Sequence, residues 1–171
     1  MRLPFDGDFE MTEPFGTPDA GHGWWIDGYH TGIDYGLPKG TSVLAMAAGR
    51  IDKRGLMGGK GMVVQLAHTP GLVSRYCHLE SFTEIFGDVP EGAVIGFSGD
   101  SGFVTGPHLH WEVLRDGQYI DPLSVFAPVE TPLQLIDGLI YIVDTLRGLE
   151  HEPEANETRR IALALKHHLG L

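Results

Sequence analysis

The chain has little cysteine, little positive charge and no long apolar run, and each shortage removes a class of protein. Cys77 is the single cysteine in 171 residues, so no intrachain disulfide can staple the fold. Twelve lysines and arginines stand against 23 aspartates and glutamates, for a formal net charge of −11. A nucleic-acid binder needs a basic face for the phosphates, and adsorption to an anionic membrane needs the same sign of charge. Neither nucleic acid nor membrane is therefore expected as a partner, while an uncharged or peptide-like substrate stays open. No stretch of about eighteen apolar residues is present to span a bilayer. The opening MRLPFDGDFEM has no basic start followed by an apolar run, which is the mark of a secretory signal. The expectation is a protein made in the cytoplasm that meets any target outside it only after release.

What the chain does have is 24 glycines and 11 prolines, spread over a length that suits one domain or one domain plus an appendage. Residues 1–128 read as all-β, because short apolar runs are cut by glycine and proline at frequent intervals. TSVLAMAAGRIDKRG holds a strand and a turn; GMVVQLAH, LVSRYCHLE and AVIGFSG read as strands. PHLHWEVLRDGQYI reads as a hairpin turning at Asp116-Gly117. The pattern changes near Val129. Thr131-Pro132 is a helix start, and Leu133, Ile136, Ile140, Val143 and Leu146 follow at helical spacing. After the polar stretch HEPEANE, Ile161, Leu165 and Leu169 mark a second helix ending near Gly170. Residues 129–171 are thus expected to form a helical hairpin, either packed on the β domain or used as a binding or self-associating appendage. No internal repeat or low-complexity tract occurs.

Nine histidines are present, and their placement says more than their number. His30 and Asp34 lie in GYHTGIDYG, His78 in RYCHLE, and His108 and His110 in GPHLHWE. On a strand, residues two apart share a face, so His108 and His110 point one way while Leu109 and Trp111 point the other. Imidazole and carboxylate are ordinary zinc ligands, and a catalytic zinc keeps three protein ligands and one open position. His30, Asp34 and one of the later histidines would fill that set. The remaining two would face substrate as proton-transfer groups or oxyanion donors.

The ordered set PFG, HTGIDYG, KGTSVLAMAAGRI, GMVVQLAHTPGLVSRYCHL, GAVIGFSGDSGFVTGPHLHWEV and YIDPLSVF, running through most of residues 14–126, resembles the lysostaphin-type (LytM-like) zinc metallopeptidases. That resemblance implies a duplicated hybrid motif: an antiparallel, sandwich-like β-sheet whose groove is walled by loops. It implies one zinc ion per chain held by His30, Asp34 and His110, with His78 and His108 as the catalytic histidines. It also implies a substrate class, the peptide cross-bridges or stem peptides of bacterial peptidoglycan, and a short lytic domain of this kind fits a phage endolysin or a virion-associated lysin. Two other readings stand beside it: a non-catalytic LytM-like regulator or phage tail component, and a different wall hydrolase such as an amidase or carboxypeptidase.

The chain departs from the family in places. Thr17 and Pro18 follow PFG where the family often has an arginine. Trp24, Trp25 and Tyr29 in the aromatic stretch before His30 could line a substrate groove or simply pack on the sheet. Tyr29 is also close to where active members carry a tyrosine that assists the transition state. Cys77, between Tyr76 and His78, is expected to face away from the site as an inert buried thiol. His22, His68, His151, His167 and His168 have no partner motif and read as surface or loop residues. Glu112 reads equally as an orienter of a ligand or as a satisfied strand residue. GLMGGKG lacks the spacing of a phosphate loop and reads as a hairpin turn.

Overall fold

The apolar runs of the first 126 residues become strands, with polar residues alternating along the longer ones. The structure, a computed structural model, describes residues 1–19 and 28–126. Trp24, Trp25, His22 and the expected helical hairpin with its three histidines lie outside those residues. The chain divides into two units, Met1–Ala127 and Pro128–Leu171, and the first carries every element below.

In chain order the strands are β1 (Met11–Glu13), β2 (Ile33–Tyr35), β3 (Ser42–Leu44), β4 (Gly49–Leu56), β5 (Met62–Ala67), β6 (Leu72–Phe82), β7 (Gly87–Val89), β8 (Val94–Ser98), β9 (Leu109–Arg115) and β10 (Gln118–Ile120). Two short 3-10 segments, Gly58–Lys60 and Pro122–Phe126, are the only helical pieces among the described residues. All pairings are antiparallel. The main path runs β1-β2-β9-β6-β5-β4-β7; β10 lies beside β9, and β8 links β6 to β3. The β9–β10 hairpin turns at Asp116 and Gly117, both at positive φ (51° and 81°), as a two-residue hairpin loop requires.

The centre of the sheet has two interiors. Ile33, Trp111 and Tyr76 are registered across β2, β9 and β6, and all three are buried in the apolar core with Leu109, Val113, Val64 and Leu66. Truncating a buried aromatic of Trp111's size costs about 3–5 kcal/mol. The Tyr76 hydroxyl accepts from the Met46 backbone N–H at 2.9 Å and from the Ser74 hydroxyl at 3.0 Å. His68 joins this network through Ser74 Oγ at 2.8 Å and the Ala48 carbonyl at 2.9 Å. His68 lies in a loop, as expected, and its two nitrogens tie the end of β5 to the loop before β4 at Ala48 and to β6 at Ser74. On the opposite face of the same strands, Asp34, His110 and Cys77 are registered as neighbours.

The register shifts in several strand pairs, and the shift in β6 bears on the site. The pairing of β6 with β9 ends at Cys77–His110, and β6 resumes against β8 at Leu79–Ser98. Between them His78 sits at φ 59°. A left-handed conformation costs an L-residue about 1–2 kcal/mol, and bulged residues of this kind re-aim a side chain. Here the irregularity brings the His78 imidazole to the face that Cys77 already occupies. The expectation that Cys77 faces away from the site is thus corrected, because strict alternation from His78 does not hold through the bulge. Its second half stands: Cys77 is fully buried, and burial pushes its thiol well above the usual range.

Candidate metal centre

HTGID places its two polar ends on one face of the sheet. His30 lies just before β2 and Asp34 within it, directly opposite His110 of β9. The intervening Gly32 permits the approach: a Cβ there would lie 2.5 Å from the Trp111 carbonyl oxygen and 2.9 Å from His110 Cε1. His30 Nε2, Asp34 Oδ1 and His110 Nδ1 form a small triangle. Its sides are 3.0 Å between the imidazoles, 2.7 Å from His110 to Asp34 and 3.2 Å from His30 to Asp34. Ligand bonds of about 2.0–2.1 Å in a tetrahedral zinc site place donor atoms roughly 3.3 Å apart. Two imidazoles and one carboxylate at this spacing fit such an ion. His30, Asp34 and His110 are also the set that the resemblance assigns as ligands.

Each histidine nearby has one nitrogen tethered and the other turned inward. His30 Nδ1 donates to the Pro14 carbonyl at 3.0 Å, His78 Nδ1 to the Ser101 carbonyl at 2.8 Å, and His108 Nδ1 to the Gly106 carbonyl at 2.9 Å. All three thus present Nε2 to the site. His110 is reversed: Nε2 lies 3.1 Å from Glu112 Oε1, so Nδ1 faces the triangle. Fixing one nitrogen fixes which atom is left for a metal or a proton.

The charges in the cluster are coupled. Burial alone would raise the Asp34 carboxyl, but the hydrogen bonds and charges of His110 and His30 outweigh it and hold it below the ordinary range. His110 is the mirror case: burial lowers it, and its contacts with Asp34 and Glu112 carry it up to about 9. Without an ion, a proton shared between His110 and Asp34 occupies the triangle, so a cation and that proton compete for the same atoms. His78 goes the other way, to about 4, chiefly through burial, with the charges of His108 and His110 adding to the effect against the Ser101 carbonyl. It is neutral at pH 7.

The five side chains lie at a groove of about 920 Å³. The rings of His78 and His108 are 4.7 Å apart, and His108 Nε2 is 3.6 Å from Asp34 Oδ2. Thr31, Lys60, Phe103 and Tyr119 also line the groove. Lys60 was hidden in the glycine-rich turn, and Phe103 and Tyr119 lie in segments where only the strand pattern stood out. Tyr29, a candidate for the groove wall, instead packs edge-on against Phe15 at 5.9 Å and is not among the lining residues. Trp24 and Trp25 lie outside the described residues.

Behind His110, Glu112 is fully buried yet densely bonded. It accepts from Thr31 Oγ1 at 2.6 Å, from His110, from Lys60, and from Arg75 Nη1 at 3.5 Å. Burial opposes its charge, but His110 and Lys60 hold it down to about 2. Tyr119 Oη lies 3.2 Å from both Lys60 Nζ and Arg75 Nη1, closing the network. Cys77, His110 and Glu112 also bring donor atoms within 4.8 Å of one another. That group suits a metal poorly, since Glu112 is already saturated and the Cys77 proton is held by burial.

Comparison with known proteins shows the family and the fold. The model of peptidase family M23 matches residues 28–122, more than half the chain. Over 107 residues the chain is 46% identical to DD-carboxypeptidase/endopeptidase Mpg of Neisseria meningitidis serogroup B, covering 63% of this chain and 24% of that protein. The chain thus spans about a quarter of that relative's length. A zinc containing peptidase from Vibrio cholerae superposes with TM-score 0.64 at 28% identity, over 70% of this chain and 38% of that one. The catalytic domain of the antimicrobial peptidase lysostaphin from Staphylococcus simulans superposes with TM-score 0.62 at 28% identity, over 70% of this chain and 93% of that domain.

Proposed function

The chain belongs to peptidase family M23, and from that premise we propose that it is a zinc-dependent endopeptidase cutting peptide bonds in the cross-bridges or stem peptides of bacterial peptidoglycan. The observation that carries the reading is the triangle of His30, Asp34 and His110 with the Nε2 atoms of His78 and His108 beside it. His30 Nε2, Asp34 Oδ1 and His110 Nδ1 would hold one ion per chain. Such an ion lowers the pKa of bound water to about 7 and polarises a carbonyl.

The chain's own groups manage the proton. With its Nδ1–H committed to the Ser101 carbonyl, neutral His78 offers only the Nε2 lone pair, which takes a proton from an attacking water. His78 Nε2–H then returns that proton to the leaving amine, while His108, whose Nε2 faces the same groove, donates to the developing oxyanion with a proton taken from solvent. Both rings are backed by carbonyls, so neither can turn away without losing a hydrogen bond.

The substrate class is supported by a relative named for DD-peptide bonds, since polymers containing D-amino acids are found in the bacterial wall. A phage lysin, released at lysis or carried on the virion, is the setting we propose. Finding the chain in purified virions, or lysis only after the membrane is breached, would support it; wall digestion by a host-secreted form would count against it.

The direct test is digestion of purified peptidoglycans of defined cross-link type, with and without chelator, followed by mass analysis. New peptide termini, loss of activity with chelator and its return with zinc are expected. Cleavage at the sugar–peptide amide, or activity indifferent to chelator, overturns the reading.

A further inference from the structure

We propose that Glu112 is a positioning residue that accepts the Nε2 proton of His110 and so fixes Nδ1 as the atom that faces His30 and Asp34. The inference rests on the metallopeptidase reading above and adds to it the group that decides which His110 nitrogen is free. Of the inward-facing histidines, His30, His78 and His108 are tethered at Nδ1 by backbone carbonyls. His110 alone among them is tethered at Nε2 by a carboxylate. A backbone carbonyl cannot be removed by substitution, whereas this carboxylate can.

The register dictates the arrangement. His110 and Glu112 are two residues apart on β9, so both project from the same face of the sheet. Glu112 stands opposite Arg75 of β6, and Thr31, next to His30, reaches it from the approach to β2. Lys60 joins from the Gly58–Lys60 turn. The turn can do this because Gly61 and Gly102 pack backbone to backbone: a Cβ on Gly61 would lie 2.4 Å from the Ser101 carbonyl, and one on Gly102 would lie 2.4 Å from that of Gly59. Ser101 is also the residue whose carbonyl tethers His78. One loop contact therefore sets both the carboxylate behind His110 and the tautomer of His78.

Lys60 and Arg75 reach the carboxylate from the two flanking segments and fix where it sits. Without it, the Nε2–H that a metal-bound His110 would carry loses the acceptor that holds the ring with Nδ1 turned to His30 and Asp34. Partners of metal-bound histidines typically change metal affinity by about 10–100-fold when mutated.

The test is zinc binding by the full chain, measured by competition with a chromogenic chelator. Glu112→Gln is expected to weaken zinc binding by about 10–100-fold and to shift the visible absorption of the cobalt-substituted protein, beside a fall in the metal-free Tm because Lys60 and Arg75 lose their buried counter-charge. Thr31→Val, which removes only the hydroxyl that fixes the carboxylate, is expected to weaken zinc binding to a smaller extent. A residue that only supports the fold would lower the metal-free Tm and leave zinc affinity and the cobalt spectrum unchanged, and that result overturns the proposal. Should Glu112→Gln not fold, unchanged zinc affinity in Thr31→Val overturns it in the same way. If wild type takes up no zinc, the metallopeptidase reading itself falls; if wild type binds zinc and the variants bind it equally well, only the role of Glu112 falls.

Discussion

An imidazole has two nitrogens, and at this centre one of each pair is spent on a tether before any substrate arrives. This separates ligands from proton carriers by position alone. Removing a side of the triangle, as in His30→Ala or Asp34→Ala, should lower zinc content of the purified protein. His78→Ala should keep its zinc and lose turnover by about 10²–10⁴-fold, the range for a general acid–base group. Equal metal loss in all three, measured by elemental analysis, would refute the division. His68 supports a second expectation, away from the centre. Burial lowers its pKa below the ordinary value, so the folded chain keeps it neutral while the unfolded chain takes up a proton below about 6.5. Between those two values the unfolded state binds more protons, so stability is full above about pH 6.5 and is lost as pH falls towards the lowered value. His68→Gln should flatten that acid-side slope in urea melts run with chelator present. A slope identical to wild type's would show that His68 does not contribute to it.

At the scale of elements, the informative feature is the bulge in β6. His78→Gly and His78→Ala both delete the imidazole, but only glycine adopts φ near 59° without strain. The glycine variant should therefore be the more stable of the two by about 1 kcal/mol, read from chemical denaturation, with both equally inactive. The reverse order would mean that the bulge is not strained. This bulge also marks where the sequence stopped being readable. The longer apolar runs bounded by glycine and proline, such as those of β5, β6, β8 and β9, were legible, as was the Asp116-Gly117 turn. TSVLAMAAGRIDKRG was read as one strand and a turn and holds two strands, β3 and β4, while the three-residue strands β1, β2 and β7 were not read, because three residues carry no period. The face of Cys77 was misread because alternation assumes an unbroken pleat, and nothing in RYCHLE signals the break. Glu112, two residues beyond His110, was legible as a same-face neighbour. Lys60 was not, because its reach depends on two loops far apart in sequence packing together.

For the whole first unit, the five candidate residues of the centre were legible from motif order, and the structure brings all five to one groove. The balance of burial and charge that sets their protonation became visible only with the fold. Because the triangle joins the approach to β2 with β9, a bound ion would bridge segments some eighty positions apart, as the His30–His110 contact does. Ligand linkage predicts a stabilisation of about 2.7 kcal/mol at a zinc concentration 100 times Kd. Melting curves should therefore rise by several degrees when zinc is added to chelator-stripped protein and fall again with chelator. A Tm indifferent to both additions would mean that the three atoms do not bind zinc.

β9 lies between β2 and β6 in space but follows both in the chain. A ribosome that has delivered only the first hundred residues has made two flanks of a sheet whose middle is still missing. Products that stop short of β9 therefore cannot assemble the triangle of His30, Asp34 and His110.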